Sequence, residues 1–489
     1  LSKAQLSACE KEGGNVPLPH AEIFCSFPEK DIIGASKILC DSRGLIWIGT
    51  NGYGIRKYNP VNRLFRHYLP GVSTRRVHAS PDGQLWVWTS SGLFSRLDEH
   101  LNQTAEPILR DNNLFHHDCM FSRDGSLWIL AQHRDAVEDN SILVKKNLQT
   151  GAGEQFKCST SAGMYTQFME DSKGNIWILG FKSDLERFDP VHKSSISYDL
   201  SAITGFKEYA FALMEDVNGC IWVGTPHGLV KGVPKGTDGQ MDFVLFKNNA
   251  SKTNSLNNNA ILSVLDDPRN PSRFLWVGTR GGGLNLLDKE NGECHHYTPA
   301  DGLPNDVIYG ILSDPNRYLW LSTNSGLSKF NPQSDHFENY SVADGLQDNE
   351  FNTVSYAQKS DGQMIFGGVN GLTVFDPKLI NPIKFTPPVL ITALKIQNRV
   401  ASPGDGILSR NIEQTESITL PYDQNQITLE FAALDFSTPL KNQFRYRLLG
   451  AHNEWSEATT NHSTTYSSLP PGQYTFKVLT CGAHGMWYA

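Results

Sequence analysis

Asp216-Val-Asn-Gly219-Cys-Ile-Trp222-Val-Gly-Thr225 decides the fold, because the same phrase stands eight times along the 489-residue chain. It joins a polar turn ending in Gly, or its equivalent, to an apolar residue, an aromatic ring and a run of small residues. A second good copy is Asp41-Ser-Arg-Gly44-Leu-Ile-Trp47-Ile-Gly-Thr50, and more degraded copies place aromatics at Trp86, Trp128, Trp177, Trp276, Trp320 and Phe366. Successive aromatics are 39, 42, 49, 45, 54, 44 and 46 residues apart. A period of this size means one four-stranded supersecondary unit per repeat.

Each copy reads as a turn feeding a strand: Asp-x-x-Gly supplies a positive-φ corner, and Leu-Ile-Trp-Ile-Gly-Thr is short, β-branched and aromatic. A second strand follows another Gly, as in Gly228-Leu-Val, Gly326-Leu-Ser-Lys-Phe and Gly371-Leu-Thr-Val-Phe. Two more strands of the usual length fit in each repeat. Helices are disfavoured, because the apolar runs are short, broken by Gly or Pro, and lack a 3.6 period. The expected fold is all-β: a β-propeller of seven or eight blades over residues 1–380, with about 45 residues per repeat. Eight phrases fit eight blades, or a seven-bladed ring plus one blade of a preceding propeller. The aromatic of each repeat is expected to fill the wedge between blades, burying on the order of 150 to 250 Å², rather than to form a ligand cage. The polar stretch from Lys247 to Asn259 is expected to be a long surface loop.

A net charge of −8 argues against a nucleic-acid surface, and no Lys/Arg cluster opposes that. No run of eighteen apolar residues occurs, and the N-terminal segment lacks a signal-peptide core. The first and last residues, Leu1 and Ala489, are those expected of a piece of a longer protein. Eight cysteines are scattered with no CxxC spacing and read mostly as small buried residues, so they leave the redox compartment open.

After Phe375-Asp-Pro377 the repeat stops. A Pro-rich hinge at Asn381-Pro-Ile-Lys-Phe-Thr-Pro-Pro388 leads into strict alternation at Ile427-Thr-Leu-Glu-Phe431, Phe444-Arg-Tyr-Arg-Leu448 and Tyr474-Thr-Phe-Lys-Val478. Residues 381–489 are therefore expected to form an immunoglobulin-like sandwich, truncated at its last strand, with a tyrosine corner at Leu469-Pro-Pro-Gly-Gln-Tyr474.

Together these phrases resemble the extracytoplasmic sensor regions of bacterial two-component regulators, including hybrid systems, in which propeller repeats precede a sandwich named for three tyrosines. Here those tyrosines would be Tyr446, Tyr466 and Tyr474. The resemblance runs from about residue 35 to residue 487 and rests also on Asp301-Gly-Leu-Pro-Asn305-Asp-Val-Ile-Tyr309, Phe366-Gly-Gly-Val-Asn370-Gly-Leu and Leu469-Pro-Pro-Gly472. It implies a periplasmic sensor that binds a small molecule, often an oligosaccharide. Such a sensor is membrane-anchored and homodimeric in its parent protein, and signals through a membrane helix to a histidine kinase or another output module. No cofactor, metal, nucleic acid or catalytic activity of this region is implied.

Carbohydrate sites on propellers want aromatic platforms with Arg, Asn and Asp beside them, where loops converge on the channel. Candidates by that logic are Tyr53, Arg75, Arg76, His78, Arg280, Asn305, Tyr309 and Asn370, each in or next to an inter-strand turn. For each, a solvated or blade-bridging role is the plainer alternative, and the sequence does not say which ring face holds these turns. Arg280-Gly-Gly-Gly283 opens no helix and so is no phosphate cradle. His116-His117-Asp118-Cys119 and Cys294-His295-His296 place neighbouring side chains on opposite faces and lack a complete ligand set. A propeller glycoside hydrolase or lyase is the enzyme alternative. Hydrolysis needs two carboxylates across one bond. Most acids here belong to the repeated turn, and the off-motif Glu215 and Glu350 have no evident partner in the sequence. A protein-interaction scaffold is the third possibility.

Overall fold

A computed structural model of the protein describes residues 35–41, 45–50, 54–58, 64–90, 94–97, 103–104, 114–133, 141–148, 150–159, 167–180, 184–236, 239–380, 388–436, 442–481 and 487–488. The chain divides into two compact units, Leu1–Pro60 and Val61–Ala489. The first holds a three-stranded antiparallel sheet, Ala35–Cys40, Ile46–Thr50 and Gly54–Tyr58, which carries the first copy of the repeat.

In the second unit seven four-stranded antiparallel sheets follow one another. Their innermost strands are Thr74–Ala79, Leu114–Phe121, Gln167–Glu170, Ala212–Glu215, Ile261–Asp266, Ile308–Ser313 and Phe351–Gln358, taken here as blades 1 to 7. Each inner strand lies against that of the next blade, and the inner strand of blade 7 lies against that of blade 1. The ring is therefore closed at seven blades. The closing blade is composite: Phe351–Gln358, Met364–Gly368 and Gly371–Phe375 are completed by Arg66–Tyr68, with Leu372 opposite Tyr68, Thr373 opposite His67 and Val374 opposite Arg66.

Seven of the eight repeated aromatics are buried between blades as the sequence predicts, whereas Trp47, in the N-terminal unit, is only partly buried. Trp222 of blade 4 is fully buried among Ile261, Leu275 and Val277 of blade 5, and Trp320 of blade 6 among Phe351, Met364 and Phe375 of blade 7. The motif aspartate does more than shape the turn. In blade 4 one Asp216 oxygen accepts the amides of Asn218 and Cys220, both at 2.9 Å, and the other accepts the Trp222 indole N–H at 2.8 Å. Asp171 and Trp177 repeat this at 2.8 Å, and Asp314 and Trp320 at 3.3 Å. In blade 2 a serine takes over: Ser122 Oγ accepts the Trp128 indole at 3.1 Å and donates to Asp124 at 2.6 Å.

A second contact repeats between neighbouring blades. The last residue of an inner strand reaches back to the turn of the preceding blade: Glu170 accepts the Arg123 amide at 2.6 Å, Glu215 the Ser172 amide at 2.6 Å, and Asp266 the Val217 amide at 3.0 Å. The signal was present as a carboxylate directly before the motif aspartate, in Glu170-Asp171, Glu215-Asp216 and Asp266-Asp267. Between blades 4 and 5 the buried ammonium of Lys289 bonds Asp216 at 3.0 Å, Asp266 at 2.6 Å and the Pro271 carbonyl at 2.7 Å.

Residues beyond 388 form two further sheets. Arg399–Val400, Val389–Ile396, Ile427–Ala433 and Ser463–Tyr466 make one, and Gln443–Leu449, Thr475–Cys481 and Trp487–Tyr488 the other. The fully buried Phe431 packs on Phe444, Tyr446 and Phe476. The Tyr474 hydroxyl donates to the Pro470 carbonyl at 2.6 Å, which is the bond a tyrosine corner makes. No helix among the described residues is long and apolar enough to cross a membrane.

Candidate functional site

Antiparallel order fixes which turns share a face. Turns from a first to a second strand lie on one side of the ring, whereas second-to-third turns and the loops into each next blade lie on the other. The repeated Asp turns are of the first kind. Arg280, Asn305 and Asn370, with Tyr309 at the start of its inner strand, belong to the second.

On that second face a run of aromatic and polar side chains crosses blades 4 to 7. Phe206, 48% exposed, stacks on His227 with ring centroids 3.7 Å apart, and His227 Nε2 lies 3.1 Å from Glu208. Tyr209 meets the buried Phe211 edge-on at 5.1 Å. The Arg280 guanidinium sits 5.0 Å from the centre of the same Phe211 ring and makes no ion pair among the described residues. Such a cation–π contact contributes about 0.5–1 kcal/mol at an exposed site, enough to restrict the side chain without neutralising it. Next to it Tyr309, half-buried, donates to Asn324 at 3.3 Å. Burial raises the Tyr309 phenol above its ordinary pKa; the Glu350 carboxylate adds to the rise and Arg280 opposes it. Arg280, Tyr309 and Glu350 thus share one electrostatic neighbourhood, composed of an aromatic face, a cation, an anion and neutral amide groups.

The remaining candidates have other surroundings. Asn305 caps its own turn by accepting the Val307 amide at 2.9 Å. Arg75 is exposed at the start of the blade 1 inner strand. Arg76 turns inward and pairs with the buried Asp118 of blade 2 at 2.8 Å, and His78 Nε2 lies 3.4 Å from the same carboxylate, so both bridge blades. The polar groups of Asn370 are engaged in closing the ring: its side chain accepts the Gly71 amide at 2.7 Å and donates to the Gln347 carbonyl at 2.9 Å. Tyr53 lies outside the described residues. Glu215 acquires a partner in Ser172, and it ends its inner strand at the face opposite to Glu350. These two carboxylates therefore do not face one bond. Phe206, His227, Phe211 and Asn324 were not singled out in the sequence, because nothing local marks a residue that becomes a neighbour only through the ring.

Two sequence families match the chain: the two-component regulator propeller over residues 302–325 and the Y_Y_Y domain over residues 435–489. A curated relative, histidine kinase P4 of Formosa agariphila, is 32% identical over 189 residues, which make up 38% of this chain and 14% of that protein. The chain thus corresponds to a small part of that relative. Among solved structures, the extracellular domain of a hybrid two-component system from B. thetaiotaomicron is 23% identical with a TM-score of 0.70, over 93% of this chain and 60% of that one. At that identity the likeness is one of fold. A virginiamycin B lyase from Staphylococcus aureus is 13% identical with a TM-score of 0.47, over 63% of this chain and 97% of that one, and bears on no catalytic question. By these matches the chain contains a two-component regulator propeller segment and a Y_Y_Y domain, on a fold shared with the extracellular domain of a hybrid two-component system.

Proposed function

We propose that this chain is the periplasmic ligand-sensing region of a two-component regulator. It binds an oligosaccharide on the face built by blades 4 to 7 and passes the state of that face through the sandwich to a membrane helix and an output module, within a homodimeric parent protein. The observation that carries this reading is the grouping of Arg280, Tyr309 and Glu350 on one side of the ring, with the exposed ring of Phe206 on the same face. An aromatic face packs on the C–H side of a sugar ring, while Arg, Asn and Glu donate to and accept from its hydroxyls. The grouping has no evident hydrolytic pair, which suits recognition without turnover.

Calorimetric titration with defined plant, algal and host-glycan oligosaccharides, followed by mass spectrometry of each mixture, tests the reading. Saturable binding with intact sugar is expected, and Arg280→Ala should weaken it by roughly tenfold or more, as loss of a charge-assisted hydrogen bond of about 1.5–3 kcal/mol implies. Cleaved products would point to an enzyme. Binding unaffected by Arg280→Ala and Tyr309→Ala would move the site elsewhere.

A further inference from the structure

The incoming and outgoing segments of the ring meet in one blade. Arg66–Tyr68, reached from the N-terminal unit, pairs directly with Gly371–Phe375, which runs through Pro377–Leu379 toward the sandwich. A single core holds both: Phe65 packs at 5.0 Å on Phe375 and on Tyr340, and Ile380 is buried in the same cluster. Tyr309, from the candidate ligand face, packs against that cluster too.

A chain of hydrogen bonds also links the face to the closure. The Gln347 side chain donates to the Glu350 carbonyl at 2.9 Å and accepts the Asn370 amide at 2.8 Å, while its own amide donates to Thr373 at 3.0 Å. The Asn370 carbonyl lies 2.6 Å from His67 Nε2, on the incoming strand. Between these anchors the inner strand of blade 7 shifts register, and Val354 there holds φ at 59°. A β-branched residue is strained in the left-handed region, and such strain persists only where the surroundings impose it.

We infer that blade 7 is the coupling element of the sensor, with Gln347, Asn370 and His67 as positioning residues that tie the geometry of Glu350 and Tyr309 to the pairing of Arg66–Tyr68 with Gly371–Phe375. A ligand that prefers one arrangement of the Glu350 loop thereby changes how firmly the incoming strand is held, beside the strand that leads to the sandwich. The linkage is reciprocal, so loosening the closure must disturb the face. The inference rests on the sensor reading above, but its test needs no ligand, so silence in sugar titrations and failure of the coupling remain distinguishable.

The experiment uses the full 489-residue chain. Hydrogen–deuterium exchange is followed in segments 64–73 and 348–358, and 3-fluorotyrosine at position 309 reports the face by fluorine NMR. His67→Ala, which touches only the Asn370 end, should speed exchange about fivefold in both segments, as losing one hydrogen bond of about 1 kcal/mol implies. It should also move the fluorine resonance. His67→Gln, which keeps a donor, should restore both, and Thr225→Ala in blade 4 should change neither. Faster exchange confined to segment 64–73, with the resonance unmoved, would overturn the coupling. If His67→Ala does not fold, Asn370→Asp keeps the acceptor for Gly71 and replaces the donation to Gln347 by repulsion between a carboxylate oxygen and the Gln347 carbonyl, and it is judged by the same two outcomes.

Discussion

Blades 4 and 5 begin from the same phrase and use it differently. In blade 4 six residues separate Asp216 from Trp222, and the carboxylate accepts the indole N–H. In blade 5 Trp276 stands 9 residues after Asp267. The longer turn, Asp-Pro-Arg-Asn-Pro-Ser-Arg, withdraws the carboxylate, which binds the Arg269 guanidinium at 3.0 and 2.9 Å instead. Among the described residues the Trp276 indole nitrogen is buried without a hydrogen bond, and the Arg269 guanidinium lies 5.7 Å from the centre of its ring. Both blades keep the ring in the wedge, and only the polar latch on it differs.

The largest effect that tests this difference is removal of the ring. Trp222→Ala should cost about 3–5 kcal/mol through the cavity it leaves; a denaturant titration showing a loss below about 1 kcal/mol would contradict its place between blades. Removing the cation shared by blades 4 and 5 comes next. Lys289→Met leaves Asp216 and Asp266 without their ammonium and should cost about 3 kcal/mol, the lower end for breaking a buried ion pair. A neutral result would mean that the two carboxylates are adequately held by turn amides and the Trp222 indole.

Replacing each ring by phenylalanine separates ring from latch. Trp222→Phe removes a donor to a carboxylate and should cost about 1.5–3 kcal/mol beyond the change in packing. Trp276→Phe removes an indole N–H that has no acceptor, and should be the milder of the pair. Equal losses would show that the indole bond adds nothing to blade 4. The smallest effect is in the pH dependence. Burial pushes the Asp216 pKa up, but bonds from Trp222, Cys220 and Lys289 outweigh it and hold it below the ordinary value. A depressed folded pKa contributes stability that is present above the unfolded value of about 3.9 and is lost as pH falls through the folded one. The gap between wild type and Trp222→Phe should therefore narrow on going from pH 7 to pH 3, whereas a constant gap would uncouple indole and carboxylate. Asp266, raised by burial first, acts in the opposite direction and blunts the acid response.

The architecture was legible because it repeats: one aromatic and one turn per blade, each within a ten-residue phrase. What the sequence left undecided, seven blades or eight, depends on Arg66–Tyr68 joining strands some 300 residues away, and no local pattern records such a pairing. The same holds for the candidate site. Arg280 and Tyr309 could be named from their residue types beside turns, but the stacking of Arg280 on Phe211 is a contact between blades 4 and 5. Asn370 has the composition of a ligand contact, yet it serves the closure through Gly71, 299 residues distant. Glu215 looked unattached only because its partner, Ser172, is 43 residues upstream on the preceding blade.

Arg66–Tyr68 emerges from the ribosome long before the strand it must join. At synthesis rates of about 5–20 residues per second, the roughly 300 intervening residues take about 15–60 s. Throughout that time a short strand with open backbone groups stands beside a half-built ring whose last blade lacks its outer edge. Its brevity and the exposed side chains of Arg66 and His67 make it a poor template for the wrong neighbour while it waits.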